Sequence, residues 1–115
     1  MKVSRFEDLD CWQQARVLTE QVYAATRNGA FGKDLRLGSQ FQAAAGSVMA
    51  NVAEGFARRS NREFLQFLFV AISSAAEVQS HLYIAADQEY ISKDTFDRIY
   101  GQADKTSRII SGLIT

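Results

Sequence analysis

Apolar residues recur every three or four positions along four stretches of the chain, the spacing that gives an α-helix one buried face. The first stretch begins near Asp8 and ends at Asn28 and Gly29, residue types that stop helices by adopting the left-handed conformation. The connection 28–34 contains two glycines, so we predict no ordered helix there. The core-facing positions of the first stretch are Leu9, Trp12, Ala15, Thr19, Val22, Tyr23 and Thr26.

The second stretch, residues 34–57, has two distinct faces. Small side chains on one of them would let another helix axis approach closely. We therefore predict a central helix that is packed on two sides. The apolar face is Leu37, Phe41, Ala44, Ala45, Val48, Val52 and Phe56, and the small-residue face is Ala43, Gly46, Ala50, Ala53 and Ala57.

The third and fourth stretches each begin at a serine. Ser60 and Glu63 form an S-x-x-E capping box, in which each side chain is expected to bond to the backbone amide of the other residue. Ser92 is the predicted N-cap of the fourth helix, with Asp94 in its first turn. Apolar residues cover much of the circumference of the third helix, which predicts heavy burial. They are Phe64, Leu65, Leu68, Ala71, Ile72, Ala75, Val78, Leu82 and Ala85.

The fold class follows from these helices and from the absence of helix breakers. The chain has no proline, whereas average usage is about 5%. Short breaks between consecutive helices favour antiparallel neighbours. We predict an all-α protein, an antiparallel up-down-up-down four-helix bundle, with residues 1–115 as a single domain.

Composition limits the classes of partner. The 13 basic and 13 acidic residues cancel, so any binding to nucleic acid or to an anionic membrane needs a local basic patch. A single cysteine, Cys11, excludes a disulfide within one chain and a multi-thiolate zinc site. Neither a signal peptide nor an apolar run near the ~20 residues of a membrane span is visible. We expect a cytoplasmic protein with no membrane partner.

A polar stripe in the second helix has a structural and a functional interpretation. Ser47, Asn51, Glu54 and Arg58 share one face by their spacing. In the favoured structural interpretation, Asn51 and Glu54 fasten the bundle internally through hydrogen bonds; in the functional one, Glu54 is a site residue in a pocket. Gly55 costs about 1 kcal/mol relative to alanine inside a helix, which indicates close helix contact.

The strongest functional candidate is a basic cluster around the turn into the third helix. Arg58, Arg59 and Arg62 would crowd one end of the bundle near a positive helix N-terminus, where phosphate could bind. A second basic stripe on the fourth helix has acidic residues interspersed. It consists of Arg98, Lys105 and Arg108. The alternative for both is a solvated charged face.

Catalytic and metal sites are weakly supported. Glu77 and His81 lie four residues apart, but the ligand count is too small for a di-iron bundle, and Cys11 has no partner histidine nearby in sequence. An enzyme that uses Glu54, Glu77 and His81 is therefore the least favoured hypothesis. We expect no enzymatic activity, no cofactor and no metal.

The order of several motifs resembles the four-helix bundle proteins encoded in bacterial 23S rRNA intervening sequences. The resemblance covers nearly the whole chain, and its most specific part is the Asn-Val-Ala-Glu-Gly segment, residues 51–55. The other motifs are F-x-x-L-x-x-W-x-x-A (Phe6, Leu9, Trp12, Ala15), Val22-Tyr23 and R-x-S-x-x-E-F (residues 58–64).

This resemblance implies a small cytoplasmic bundle that assembles as a homopentamer and has no established catalytic activity. Relatives of similar fold are accessory proteins of diversity-generating retroelements and use a basic surface to bind nucleic acid and a reverse transcriptase. The first hypothesis is therefore an oligomeric module that binds RNA or DNA through Arg58, Arg59 and Arg62. Gln42 and Ala43 stand where family members often carry paired arginines. That difference favours the alternative, a structural or protein-binding homo-oligomer without nucleic-acid affinity.

Overall fold

The computed structural model describes residues 3–115, in which four long helices form the predicted bundle. In it, α1 packs against α3 and α5, and α4 packs against the same two helices. The prediction of an all-α, up-down-up-down bundle is confirmed. The elements are a 3-10 turn (Phe6–Asp8), α1 (Asp10–Ala25), α2 (Gly29–Lys33), α3 (Leu35–Ala57), α4 (Asn61–Asp87) and α5 (Lys93–Ile114).

Side-chain caps fix the start of each of the last three long helices. The carboxylate of Asp34 accepts from Leu37 N at 3.1 Å at the start of α3. Ser60 Oγ accepts from Glu63 N at 3.3 Å at the start of α4, and Ser92 Oγ accepts from the first turn of α5 at 3.1 Å. Each cap satisfies an amide that has no partner inside its own helix.

The connection between α1 and α3 differs from the prediction, because the segment that was expected to lack a helix contains α2. Phe31 explains the difference: its side chain is 1% exposed and stacks on the rings of Phe41 at 5.8 Å and Tyr90 at 5.1 Å. Gly29, the first residue of α2, adopts the left-handed conformation with φ +60°. Burial of one aromatic ring in the core therefore outweighs the entropic cost of the two glycines.

The small-residue face of α3 also differs from the prediction. Ala43, Ala50 and Ala57 are exposed, so no helix of the same chain packs on them. In a four-helix bundle each helix has only two adjacent neighbours, and α3 uses its other sides for α1 and α4.

Helix α4 is much less buried than predicted. In its most apolar 18-residue window only 33% of the residues are buried, because α3 and α5 cover one side of the helix alone. It is the one helix within residues 3–115 that is long and apolar enough to cross a membrane, a test that core helices of soluble bundles also pass.

Candidate phosphate-binding site at the α3–α4 turn

The predicted basic cluster lies on a tight turn between the two helices. Helix α3 ends at Ala57, and the amides of Arg58 and Arg59 donate to carbonyls of the last turn at 3.3 and 3.4 Å. Arg59 takes φ +55°, a left-handed conformation that costs a non-glycine residue roughly 1–2 kcal/mol. The chain then enters the extended N-cap Ser60. This turn directs the three arginines of the cluster to the same end of the bundle.

Arg58 has carboxylate and aromatic partners. Its guanidinium lies 3.6 Å from the Glu54 carboxylate and 3.5 Å from the Glu63 carboxylate. It also lies over the ring of Phe67, 5.1 Å from the centroid. Two acidic partners offset the charge of Arg58, so this residue joins α3 to α4 rather than offering a cation to a ligand.

Arg59 and Arg62 are different, because both are exposed. Within residues 3–115 no carboxylate lies within 4.0 Å of either guanidinium. Arg62 is in the first turn of α4, where unpaired backbone amides add positive potential. Two of the three predicted arginines can therefore contact an anion.

In the polar stripe of α3, Ser47 and Asn51 are half-buried, whereas Glu54 and Arg58 are exposed. Asn51 Nδ2 donates to the carbonyl and hydroxyl oxygens of Ser47, at 2.8 and 3.0 Å. The Ser47 hydroxyl lies 2.8 Å from the Ser74 hydroxyl on α4. The Ser47–Ser74 contact links the two helices, whereas the bonds of Asn51 stay within α3 and support that contact from the same helix.

Glu54 does not follow the structural interpretation. Its side chain is 55% exposed and, among the described residues, forms an ion pair with Arg58 alone, so it does not fasten the interior of the bundle. Glu63 also departs from the capping-box geometry: Ser60 caps its amide, but the Glu63 carboxylate contacts Arg58. A nearby guanidinium attracts this carboxylate in place of the Ser60 amide.

Gly55 lies at a close contact between α3 and α4. A β-carbon at this position would lie 2.6 Å from Phe67 Cβ and 3.0 Å from Phe64 Cδ1. Carbon atoms pack optimally at about 3.5–4.0 Å. Contact between the helices therefore accounts for the glycine, as the sequence indicated.

The residues of the enzyme hypothesis do not converge. His81 Nε2 lies 3.2 Å from the Glu77 carboxylate, and both are on α4. Glu54 is on α3 and lies near the first turn of α4, because Arg58 contacts both Glu54 and Glu63. The 14 residues of α4 from Glu63 to Glu77 span about 21 Å, so Glu54 is far from Glu77 and His81. No group of three potential metal ligands forms within residues 3–115.

Cys11 is enclosed in the core, with 1% of its surface exposed. Burial raises the pKa of its thiol to about 11. Because the thiolate is the nucleophilic form, this environment disfavours reaction at neutral pH.

The second basic stripe, on α5, is partly paired. Arg108 lies 3.2 Å from Asp104. Arg98 and Lys105 are exposed and have no carboxylate within 4.0 Å in the described part of the chain. Arg98 and Lys105 therefore serve as control positions for Arg59 and Arg62: all four are exposed cations, but they lie at different places on the bundle.

Sequence reasoning missed a set of exposed large apolar side chains on α4. We call it the α4 face: Leu65, Phe69, Val70, Tyr83 and Ile84, which are between 37% and 55% exposed. Four of these residues, Phe69, Val70, Tyr83 and Ile84, lie outside the stripe assigned to the core. The signal was present in the sequence, since a helix that is apolar on all sides needs a partner on every side.

Comparisons with known proteins agree with the fold. The family model for the 23S rRNA-intervening sequence protein matches residues 7–112. Among curated proteins no sequence matches the chain. One similar solved structure is a protein of unknown function from the S23 ribosomal protein family of Bacteroides thetaiotaomicron, with a TM-score of 0.82 and 18% identity. The alignment covers 91% of this chain and 98% of that one.

Proposed function

The chain belongs to the 23S rRNA-intervening sequence protein family, and we propose that it works as a non-enzymatic, homo-oligomeric interaction module. The proposed assembly is a cytoplasmic homopentameric ring. One observation carries the proposal: the α4 face presents five large apolar side chains to solvent in the single chain. Large apolar side chains that are exposed together on one helix mark a protein interface.

The length of the α4 face suits a second copy of the chain. Its apolar residues form two groups, residues 65–70 and residues 83–84, with exposed polar residues such as Glu77 between them. Leu65 and Ile84 are 19 residues apart, so the two groups together span about 28 Å of helix. Phe69 and Tyr83 are the largest exposed side chains on it, 52% and 55% exposed. Aromatic residues that fill the centre of an interface contribute much of its binding energy. In a cyclic ring every contact uses the same pair of surfaces, so one substitution on α4 acts at every contact.

A charge on the α4 face tests this assembly. Phe69→Glu should convert the oligomer to single chains, because the carboxylate would be desolvated in the interface. Leu35→Glu is the matched control: Leu35 is 77% exposed and lies on α3, outside the α4 face. Size-exclusion chromatography of both variants distinguishes the possibilities. Equal elution of Phe69→Glu and the wild-type protein at the oligomer volume would reject the α4 face as the interface.

A second candidate function is binding of RNA or DNA phosphate at the turn. It is supported by Arg59 and Arg62, which are exposed and lack carboxylate partners within residues 3–115. A ring repeats these two cations in each subunit, and repeated weak contacts raise the overall affinity. The alternative is a structural or protein-binding homo-oligomer without nucleic-acid affinity, which the zero net charge of the chain favours.

Salt-titrated binding to structured RNA and to duplex DNA separates these alternatives. The double variant Arg59→Gln, Arg62→Gln should weaken binding and reduce its dependence on salt, since each phosphate contact releases counterions. The control Arg98→Gln, Lys105→Gln removes two exposed cations from α5. Equal losses in the two double variants would point to nonspecific attraction, and undetectable binding by the wild-type protein would favour the structural alternative.

A further inference from the structure

A cleft of about 1000 Å³ opens at the end of the bundle where α3 turns into α4. We call it the end cleft. Its apolar wall consists of Phe6, Leu9, Phe56 and Phe64. Phe56 and Phe64 meet edge to face at 6.0 Å, and Phe6 packs in the same way on Trp12 at 5.2 Å. The rings are half-buried and held by each other, so the wall is formed before any ligand arrives.

Among residues 3–115, the charged residues that line the end cleft leave one positive charge uncompensated. They are Arg5, Glu7 and Arg59. Arg5 lies 3.1 Å from the Glu7 carboxylate, so these two charges offset each other. Arg59 has no carboxylate within 4.0 Å among residues 3–115. Ser60 and Asn61 also line the cleft at the positive end of α4.

From this combination we propose that the end cleft binds a small amphiphilic monoanion. The apolar body of the ligand lies against the phenylalanine rings, and its single carboxylate or sulfonate group contacts Arg59. The argument is charge complementarity: an apolar wall with one unpaired cation at its edge matches a ligand with one charge. Mostly apolar walls with a few polar groups are typical of small-molecule sites. The inference goes beyond the proposed assembly and does not depend on it.

Two fluorescent dyes of similar shape test the charge requirement. Anilinonaphthalene sulfonate carries one negative charge, and phenylnaphthylamine carries none. We expect Arg59→Gln to weaken binding of the sulfonate about fivefold, the order expected for one exposed charge contact, and to leave the neutral dye unchanged. Arg98→Gln, which removes an exposed arginine of α5, should change neither affinity. Equal affinity of Arg59→Gln and the wild-type protein for the sulfonate would overturn the proposal.

A second variant tests the location of the dye, because dyes can also bind the α4 face. Ala57 lines the end cleft and is exposed, so Ala57→Phe narrows the cleft without disturbing the core. It should remove binding of both dyes. Unchanged binding in Ala57→Phe would place the dyes elsewhere and contradict the proposal.

Competition identifies the anion. Octanoate carries a carboxylate on an apolar chain, and benzenesulfonate carries a sulfonate on an aromatic ring; each has one negative charge. Displacement of the sulfonate dye by either compound supports the site, and the stronger competitor shows which anion it prefers. Failure of both to displace the dye would overturn the proposal.

Discussion

Replacing Gly55 with alanine should destabilise the bundle, although alanine is the better helix former. The perturbation adds one β-carbon to α3 where this helix contacts Phe64 and Phe67 of α4. That atom would lie 2.6 Å from Phe67 Cβ and 3.0 Å from Phe64 Cδ1. Because a β-carbon is fixed to its backbone, Phe67 cannot rotate away, and the two helices would have to separate.

Two opposing free energies determine the size of the effect. Gly→Ala inside a helix stabilises it by about 1 kcal/mol through backbone entropy. Overpacking a tight contact costs roughly 1–3 kcal/mol. Gly46 is the matched control, since it lies on the same helix and a β-carbon there meets nothing within 4 Å. The difference between the two variants isolates the steric cost, so Gly55→Ala should be roughly 1–3 kcal/mol less stable than Gly46→Ala.

Urea unfolding followed by far-ultraviolet circular dichroism measures this difference. Both variants and the wild-type protein should be compared at one protein concentration, because assembly adds to apparent stability. If Gly55→Ala were as stable as Gly46→Ala, the close contact between α3 and α4 would be refuted as the reason for the glycine.

Three further predictions concern the cap, the short helix and the buried thiol. Ser60→Ala should lower the free energy of unfolding by about 1 kcal/mol in urea, since it removes the N-cap of α4; an unchanged midpoint would contradict this role. Phe31→Ala should cost about 3–5 kcal/mol in the same assay, because it empties a buried site; a loss as small as that of Leu35→Ala would show that α2 is not anchored. Burial raises the pKa of the Cys11 thiol in the folded protein from 9.0 to about 11. The contribution of the neutral thiol to the free energy of unfolding, about 2–3 kcal/mol, is therefore complete below pH 9 and is lost as the pH rises through 11. Unfolding measured across this range should show a steeper loss for the wild-type protein than for Cys11→Ala, and parallel profiles would contradict the prediction.

Helix starts were predictable because their signals are local. Ser60 and Ser92 precede α4 and α5 as predicted, and each hydroxyl caps an amide three residues later. The predicted second helix, residues 34–57, matches α3 (Leu35–Ala57) closely. The prediction for the first helix was less accurate: it began near Asp8, whereas Asp8 belongs to the 3-10 turn Phe6–Asp8 and α1 begins at Asp10.

Features that depend on the whole bundle could not be read from spacing. Helix α2 exists because Phe31 stacks on Phe41 and Tyr90, which are distant in sequence. Periodicity also does not show which sides of an apolar helix its own chain covers, and for this reason the α4 face was missed.

The sequence predicted which arginines form the candidate site, but not all of the ion pairs that they make. The sequence placed Arg58, Arg59 and Arg62 together at the turn, and all three are there. The spacing of four residues favours the ion pair of Arg58 with Glu54, but it did not show that Arg58 also contacts Glu63, which belongs to the next helix. A pair that crosses between helices depends on tertiary geometry, so only the structure separates Arg58 from the two exposed arginines.

The central claim is self-assembly, and the molar mass of the wild-type protein tests it most directly. Light scattering coupled to size-exclusion chromatography should give about 64 kDa, five times the 12.8 kDa of one chain. A mass near that of a single chain, at micromolar concentration and moderate salt, would contradict the account, because the α4 face would then remain exposed to water.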